Sequence, residues 1–209
     1  HTEKLLVLTE TARGHEEIAY RIGEAAVHAV DEVVGVGIRC WIRLALAAVH
    51  AQREEWPQAV ALYEECNMLL AGGENRIIQM ELGAPMAEAY AALGRLHEAA
   101  ALIADTLALT QRAGARHYEA MAQRVQGQVF AAQGEHDRAL AALDRAMTIC
   151  TALGSHLELA HVWYQHGAVQ RMRGDFAAAR SDWLEAGALC EQMGAWALLW
   201  RIQAALGRI

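Results

Sequence analysis

Ten histidines and four cysteines are the side chains in this 209-residue sequence that could ligate a metal or pair as nucleophile and base. The most regular set is His156, His161 and His166, at a spacing of five. On a helix, five residues advance a side chain by about 500°, leaving successive imidazoles roughly 140° apart, whereas shared ligation needs a spacing of three or four. No H-E-x-x-H pair occurs. His97-Glu98 and His136-Asp137 read instead as the first turns of helices, where acidic side chains favour the N-terminus. No metal and no cofactor is expected.

Cys150 and Cys190 stand forty residues apart, and no C-x-x-C pair is present. On stacked helices such equivalent positions lie about a helix diameter apart, beyond the roughly 7 Å that a disulfide spans. Both read as small core residues, and no local signature couples a cysteine to a histidine base. A phosphate-cradling G-x-x-x-x-G-K-[ST] loop is also absent. The chemistry-bearing residues therefore point away from an enzyme.

Charge narrows the partners. The net charge of -7 falls wholly in residues 1–100, with 8 basic against 15 acidic residues, while residues 101–209 balance at 10 and 10. Direct nucleic-acid binding is disfavoured. No run of about 18 apolar residues lacks a charge, so no membrane span or membrane partner is expected. The cysteine usage is that of a reducing compartment, and the chain reads as cytoplasmic.

The elements that carry these residues repeat. Alanine recurs at Ala19, Ala59, Ala99, Ala139 and Ala179, each forty residues after the last. Five residues before four of them stands a glycine, at Gly14, Gly94, Gly134 and Gly174, with Glu54 the exception. A second set, Gly114, Gly154 and Gly194, keeps the same period, and Gly35 and Gly73 fall one residue off it. Between these turns, apolar positions have helical spacing, as at Val125, Val129 and Phe130. With 55% hydrophobic residues, 6% aromatics and two prolines, the chain is expected to be all-α.

These residues resemble the tetratricopeptide repeat. After each fixed alanine, the bulky position of that pattern holds Tyr63, Ile103, Leu143 and Trp183, and the small position holds Cys66, Thr106, Ala146 and Ala186. Gly23 breaks the pattern in the first copy. Gly127 and Gly167 occupy the glycine position of the first helix, Tyr90 and Phe130 the aromatic one, and Trp163 the tryptophan position. The usual closing proline is missing, and forty residues exceeds the standard length of about 34.

The resemblance implies a right-handed superhelix, an α-solenoid of stacked antiparallel helix pairs with about eleven helices. The repeats would span 1–35, 36–75, 76–115, 116–155 and 156–195, followed by an unpaired helix over 196–209. Repeats of this length are similar to those of large MalT-like LuxR-type bacterial regulators. That similarity implies a protein- or peptide-binding scaffold, the regulatory segment of a larger signalling protein. The alternative is a domain that senses a small-molecule inducer.

In this family the first helix of each pair lines the concave face, which implies where a partner is read. Carried over by position, the groove residues are Trp41 and Leu44, then Glu81 and Glu88, then Met121, Arg124 and Gln128. His161, Tyr164 and Arg171 follow, and the last helix adds Arg201 and Arg208. The arginines come late, so an acidic or phosphate-bearing segment is expected at that end, bound by bidentate guanidinium contacts. Chaperone tails are set aside because asparagine occurs only at Asn67 and Asn75.

Two local features stand out. Pro85 falls inside the first helix of the third repeat, where a kink or a late helix start is expected. The apolar end segment, with Trp196, Leu199, Trp200, Ile202 and Leu206, lacks a partner helix. Either the natural chain continues past it, or helix 196–209 pairs with a second copy to make a homodimer.

Overall fold

The structure, a computed structural model, describes residues 2–30, 35–71 and 75–208. Gly73, expected at a turn between repeats, lies outside the described residues. Eleven helices are present among those described: α1 (Thr2–Ala12), α2 (Glu16–Val30), α3 (Val36–Gln52), α4 (Trp56–Leu69), α5 (Arg76–Ala92) and α6 (Leu96–Ala113), then α7 (Arg116–Ala132), α8 (His136–Leu153), α9 (His156–Met172), α10 (Phe176–Met193) and α11 (Trp196–Leu206). The fold is an all-α solenoid. None of these helices is long and apolar enough to cross a membrane.

Glycine conformation sets the turns. Gly14, Gly94, Gly134 and Gly174 have φ between 76° and 84°, and Gly114, Gly154 and Gly194 between 64° and 68°. At these values a Cβ would meet the following carbonyl, so glycine ends the helix where most residues would strain it. Glu54 adopts the same conformation, with φ 60°, and is the only non-glycine described residue to do so. Its turn keeps the bonding of the others: Glu55 N–H donates to His50 O at 2.9 Å, as Arg95 does to Tyr90 O. The cost is about 1 kcal/mol. Gly35 departs from the pattern, because its φ is -58° and it stands at the N-cap of α3.

Packing follows from small residues on facing helices. The five periodic alanines are all fully buried. A Cβ on Gly127 would lie 2.7 Å from Leu143 Cγ, and one on Gly167 would lie 2.7 Å from Trp183 Nε1. The bulky position of each second helix is thus seated on the glycine of the first. Gly83 permits an even closer approach of α5 to Thr106 on α6. Of the kink or late start expected at Pro85, the late start does not occur, because Asn75 caps α5 upstream by accepting from Ile78 N–H. Burial of Ala84, Met86 and Ala87 on either side of Pro85 offsets the lost hydrogen bond.

The first helices, α1, α3, α5, α7 and α9, also touch one another in sequence, and α11 reaches α1. Helix α11 therefore has a neighbour besides α10. A Cβ on Gly14 would lie 2.9 Å from Trp200 Cζ3. Arg201 Nη2 donates to Gln52 O at 2.7 Å. The solenoid curls until its C-terminal helix meets its N-terminal ones, so part of the face expected to serve a homodimer is met within the chain. Trp200 remains 59% exposed.

Candidate functional site

The inner helices bring together polar residues from three successive repeats. Arg124 on α7 donates from Nε to Glu158 Oε1 on α9 at 2.7 Å, and from Nη1 and Nη2 to Glu88 on α5 at 3.3 and 3.2 Å. Gln128, one turn further along α7, donates to the same Glu88 carboxylate at 2.9 Å. Its own Oε1 is buried and accepts no hydrogen bond from a described residue. Separations of 34 to 40 residues, close to one repeat, put these side chains within reach of one another on adjacent inner helices.

Electrostatics fix the charge states. Burial opposes the charge of Arg124, but the carboxylates of Glu158 and Glu88 outweigh it and hold the guanidinium protonated beyond the ordinary range. Burial likewise pushes Glu88 up, yet the charge and hydrogen bonds of Arg124 and the Gln128 bond bring it below the usual carboxylate value. His161 lies beside this network. Burial first, and then the positive charge of Arg124, lower its pKa, against the pull of Glu158 and Glu88. Its imidazole is neutral at pH 7.

This geometry corrects one expectation. Arg124 is 7% exposed and already holds two carboxylates, so it is not a free cation awaiting an acidic ligand. Leu44 is a second correction, since it is buried in the core cluster with Tyr63 and Leu82. Trp41 packs against the same cluster and lines a separate 340 Å³ hollow with Leu69, Leu70 and Asn75. Met121 is half-buried against Ala84, Ala87 and Ile103. Glu81 is half-buried on α5, and its charge adds to burial in raising the pKa of Tyr118 on α7.

The late arginines behave differently. Tyr164 and Arg171 on α9, Trp183 on α10, and Arg201 and Arg208 at the end of the chain line one 240 Å³ cavity. Glu54, from the turn between α3 and α4, completes its rim. Trp183 Nε1 donates to Tyr164 O at 3.0 Å, which fixes the floor. Arg43, Arg95, Arg116, Arg124 and Arg138 all pair with carboxylates within 4 Å. Among the described residues, none of Arg171, Arg201 and Arg208 does; Arg201 instead binds the Gln52 carbonyl. A second hollow of 130 Å³ lies between the chain ends, lined by Leu8, Thr11, Gln52, Leu157, His161 and Leu198.

Sequence reasoning missed Glu158, Glu54 and Gln52. Glu158 reads as an ordinary first-turn acid, and only its position opposite Arg124 gives it a role. Gln52 carries no signal, because its contribution is a main-chain carbonyl. Glu54 did have a signal: it is the residue that breaks the glycine period.

Little here suits covalent chemistry. All four cysteines are buried and unlinked. Burial pushes the Cys150 thiol up to about 12 and the Cys190 thiol up to about 11, so neither supplies a thiolate at neutral pH. His166, which the spacing of five turns away from His161, bonds Asp182 at 2.7 Å on α10.

Comparisons with known proteins agree with the geometry. The tetratricopeptide repeat profile matches residues 79–152 and 118–192, more than half of the chain. No curated protein matches at the sequence level. Among solved structures, the chain is similar to Bacillus thuringiensis PlcR in complex with the peptide PapR7 and DNA, with 12% identity and a TM-score of 0.77 over 96% of this chain and 72% of that one. A Rap protein complexed with competence and sporulation factor matches with 16% identity and a TM-score of 0.71, over 87% and 53%. A signal transduction ATPase with numerous domains and a tetratricopeptide repeat sensor, from Pyrococcus horikoshii, matches with 13% identity and a TM-score of 0.66, over 98% of this chain and 31% of that one. At such identities the likeness concerns the fold.

Proposed function

Because the chain belongs to the tetratricopeptide repeat family, we propose that it is a non-catalytic scaffold that binds a peptide segment along its inner helices, as part of a signalling or transcriptional regulator. The observation that carries this reading is the convergence of Arg171, Arg201 and Arg208 on one inner cavity without a neutralising carboxylate pair. Guanidinium groups left unpaired on a chain of net charge -7 are matched to an anionic ligand group. An acidic side chain, a terminal carboxylate or a phosphoryl group of the peptide would fill that cavity. The similar PlcR structure is in complex with the peptide PapR7 and the similar Rap structure with competence and sporulation factor, which supports a peptide here.

At the arginine cavity, size favours a peptide over a small-molecule inducer. The 340 Å³ hollow beside Trp41 takes in none of the three arginines. The arginine cavity and the hollow between the chain ends measure 240 and 130 Å³, below the roughly 300–1,000 Å³ that encloses a drug-sized ligand. They suit single groups projecting from an extended segment. Selection of random peptides displayed on phage against the purified protein tests the reading. Enriched peptides should be rich in Asp and Glu, and an R171Q/R208Q double variant should lose them. Enrichment of neutral or basic peptides, or none, would overturn it.

A further inference from the structure

Resting on the peptide reading above, we infer that the Arg171, Arg201 and Arg208 cavity recognises one anionic group and that Glu54 is its built-in competitor. Four observations converge on Glu54. It replaces the glycine found at Gly14, Gly94, Gly134 and Gly174, and it takes their left-handed conformation, with φ 60°. A strained residue persists only where the surroundings hold it, and such strain gathers at working sites. The strained side chain is a carboxylate, and it lines the cavity that three arginines share. Finally, it is exposed and makes no ion pair with a described residue, so it is free to swing over the arginines or away.

The turn that carries Glu54 is itself tied to the arginines. Gln52, two residues earlier, accepts the Arg201 hydrogen bond at 2.7 Å. The contact holds the α3–α4 turn against α11, so Glu54 stays within reach of the cavity. A carboxylate placed there by covalent connection competes at high effective concentration with any ligand carboxylate or phosphate. The cavity therefore gives up its ligand readily and responds to changes in ligand concentration.

Titration calorimetry on the full chain tests this with three probes: acetylated triglutamate amide, its phosphoserine counterpart, and inorganic phosphate. Glu54→Gln should tighten the best-bound probe about two- to fivefold, the range for loss of one exposed like charge. Glu54→Gly should do the same and raise the melting temperature, because glycine relieves the turn. R171Q/R208Q should weaken binding at least about tenfold. Preference between the glutamate and phosphoserine probes tells carboxylate from phosphoryl recognition. Unchanged or weaker binding by Glu54→Gln, undiminished binding by R171Q/R208Q, or no binding of any probe by either wild type or Glu54→Gln would overturn the inference. Inorganic phosphate responding to Glu54→Gln while no peptide binds would keep the pocket and remove the peptide reading.

Discussion

Arg201 Nη2 donates a 2.7 Å hydrogen bond to the main-chain carbonyl of Gln52, 149 residues earlier in the chain. Both belong to inner helices, one at the C-terminal end of the solenoid and the other in its second helix pair. The bond joins elements that a repeat stack, in which each unit touches its neighbours, does not otherwise connect. It turns a coil of helices into one whose ends touch, and it sets the anion cavity beside the seam.

Removing that bond should loosen the seam. Arg201→Ala is expected to cost about 1.5 kcal/mol, the lower range for a hydrogen bond from a charged group. For a chain of this size that lowers the melting temperature by roughly 3–6 °C. Small-angle scattering should show a larger radius of gyration. An unchanged radius together with an unchanged melting temperature would mean that the bond does not hold the ends together.

The buried network gives a second outcome. Arg124→Met leaves Glu88 and Glu158 facing each other without a cation, and breaking a buried pair on one side costs about 3–5 kcal/mol. The triple variant E88Q/R124M/E158Q should recover much of that loss, since amides need no counter-charge. Urea unfolding of the two variants measures the difference. If the single variant were as stable as wild type, the network would contribute no more than surface pairs do.

Acid should weaken the fold in two stages. The folded pKa of His161 lies below its unfolded value near 6.5, so the unfolded chain takes up a proton that the folded one excludes. Its contribution is therefore complete above about pH 6.5 and declines as pH falls through that range toward the lowered folded value. Glu88 has a depressed folded pKa, so its contribution is present above about pH 4.3 and is lost as pH falls further. His161→Gln should flatten the first decline and leave the second. Urea midpoints taken across about pH 2.5 to 7, in steps of about half a unit, distinguish the two.

Close helix approach predicts a fourth effect on stability. Gly167→Ala would place a methyl 2.7 Å from Trp183 Nε1 and 3.0 Å from Ala179 O. Overpacking of that sort costs about 1–3 kcal/mol. It should also displace the indole from Tyr164 O, which a red shift in tryptophan emission would report. Wild-type emission and stability would show that the helices have room to separate.

Much of the fold was legible because its rules are local. A glycine in the left-handed conformation ends a helix wherever it stands, so Gly94, Gly114, Gly134, Gly154, Gly174 and Gly194 mark helix ends in sequence and in structure alike. The five alanines are buried because the position is repeated, and so is its environment. Gly35 also falls between two repeats, but as the N-cap of α3, where φ is negative.

The site was less legible, and the reason is where each arginine's partner comes from. Arg124 and Arg171 look alike in sequence, each on an inner helix. Arg124 meets Glu88 and Glu158 because the repeats on both sides supply acids at the right height. Arg171 instead shares its cavity with Arg201 on α11 and Arg208 just past that helix. Periodicity names the face of a helix and leaves open what the next helix presents to it.

The sequence by itself determined the helices, their turns and the alternation of small and bulky packing positions, all of which depend on neighbours within about forty residues. Only the tertiary structure decided that α11 closes on α1 and α3, that Arg201 finds Gln52, and that Glu54 lines the cavity of three arginines. Closure is the sum of a small rotation at each repeat. No single repeat records that sum, so its result appears only when all of them are stacked.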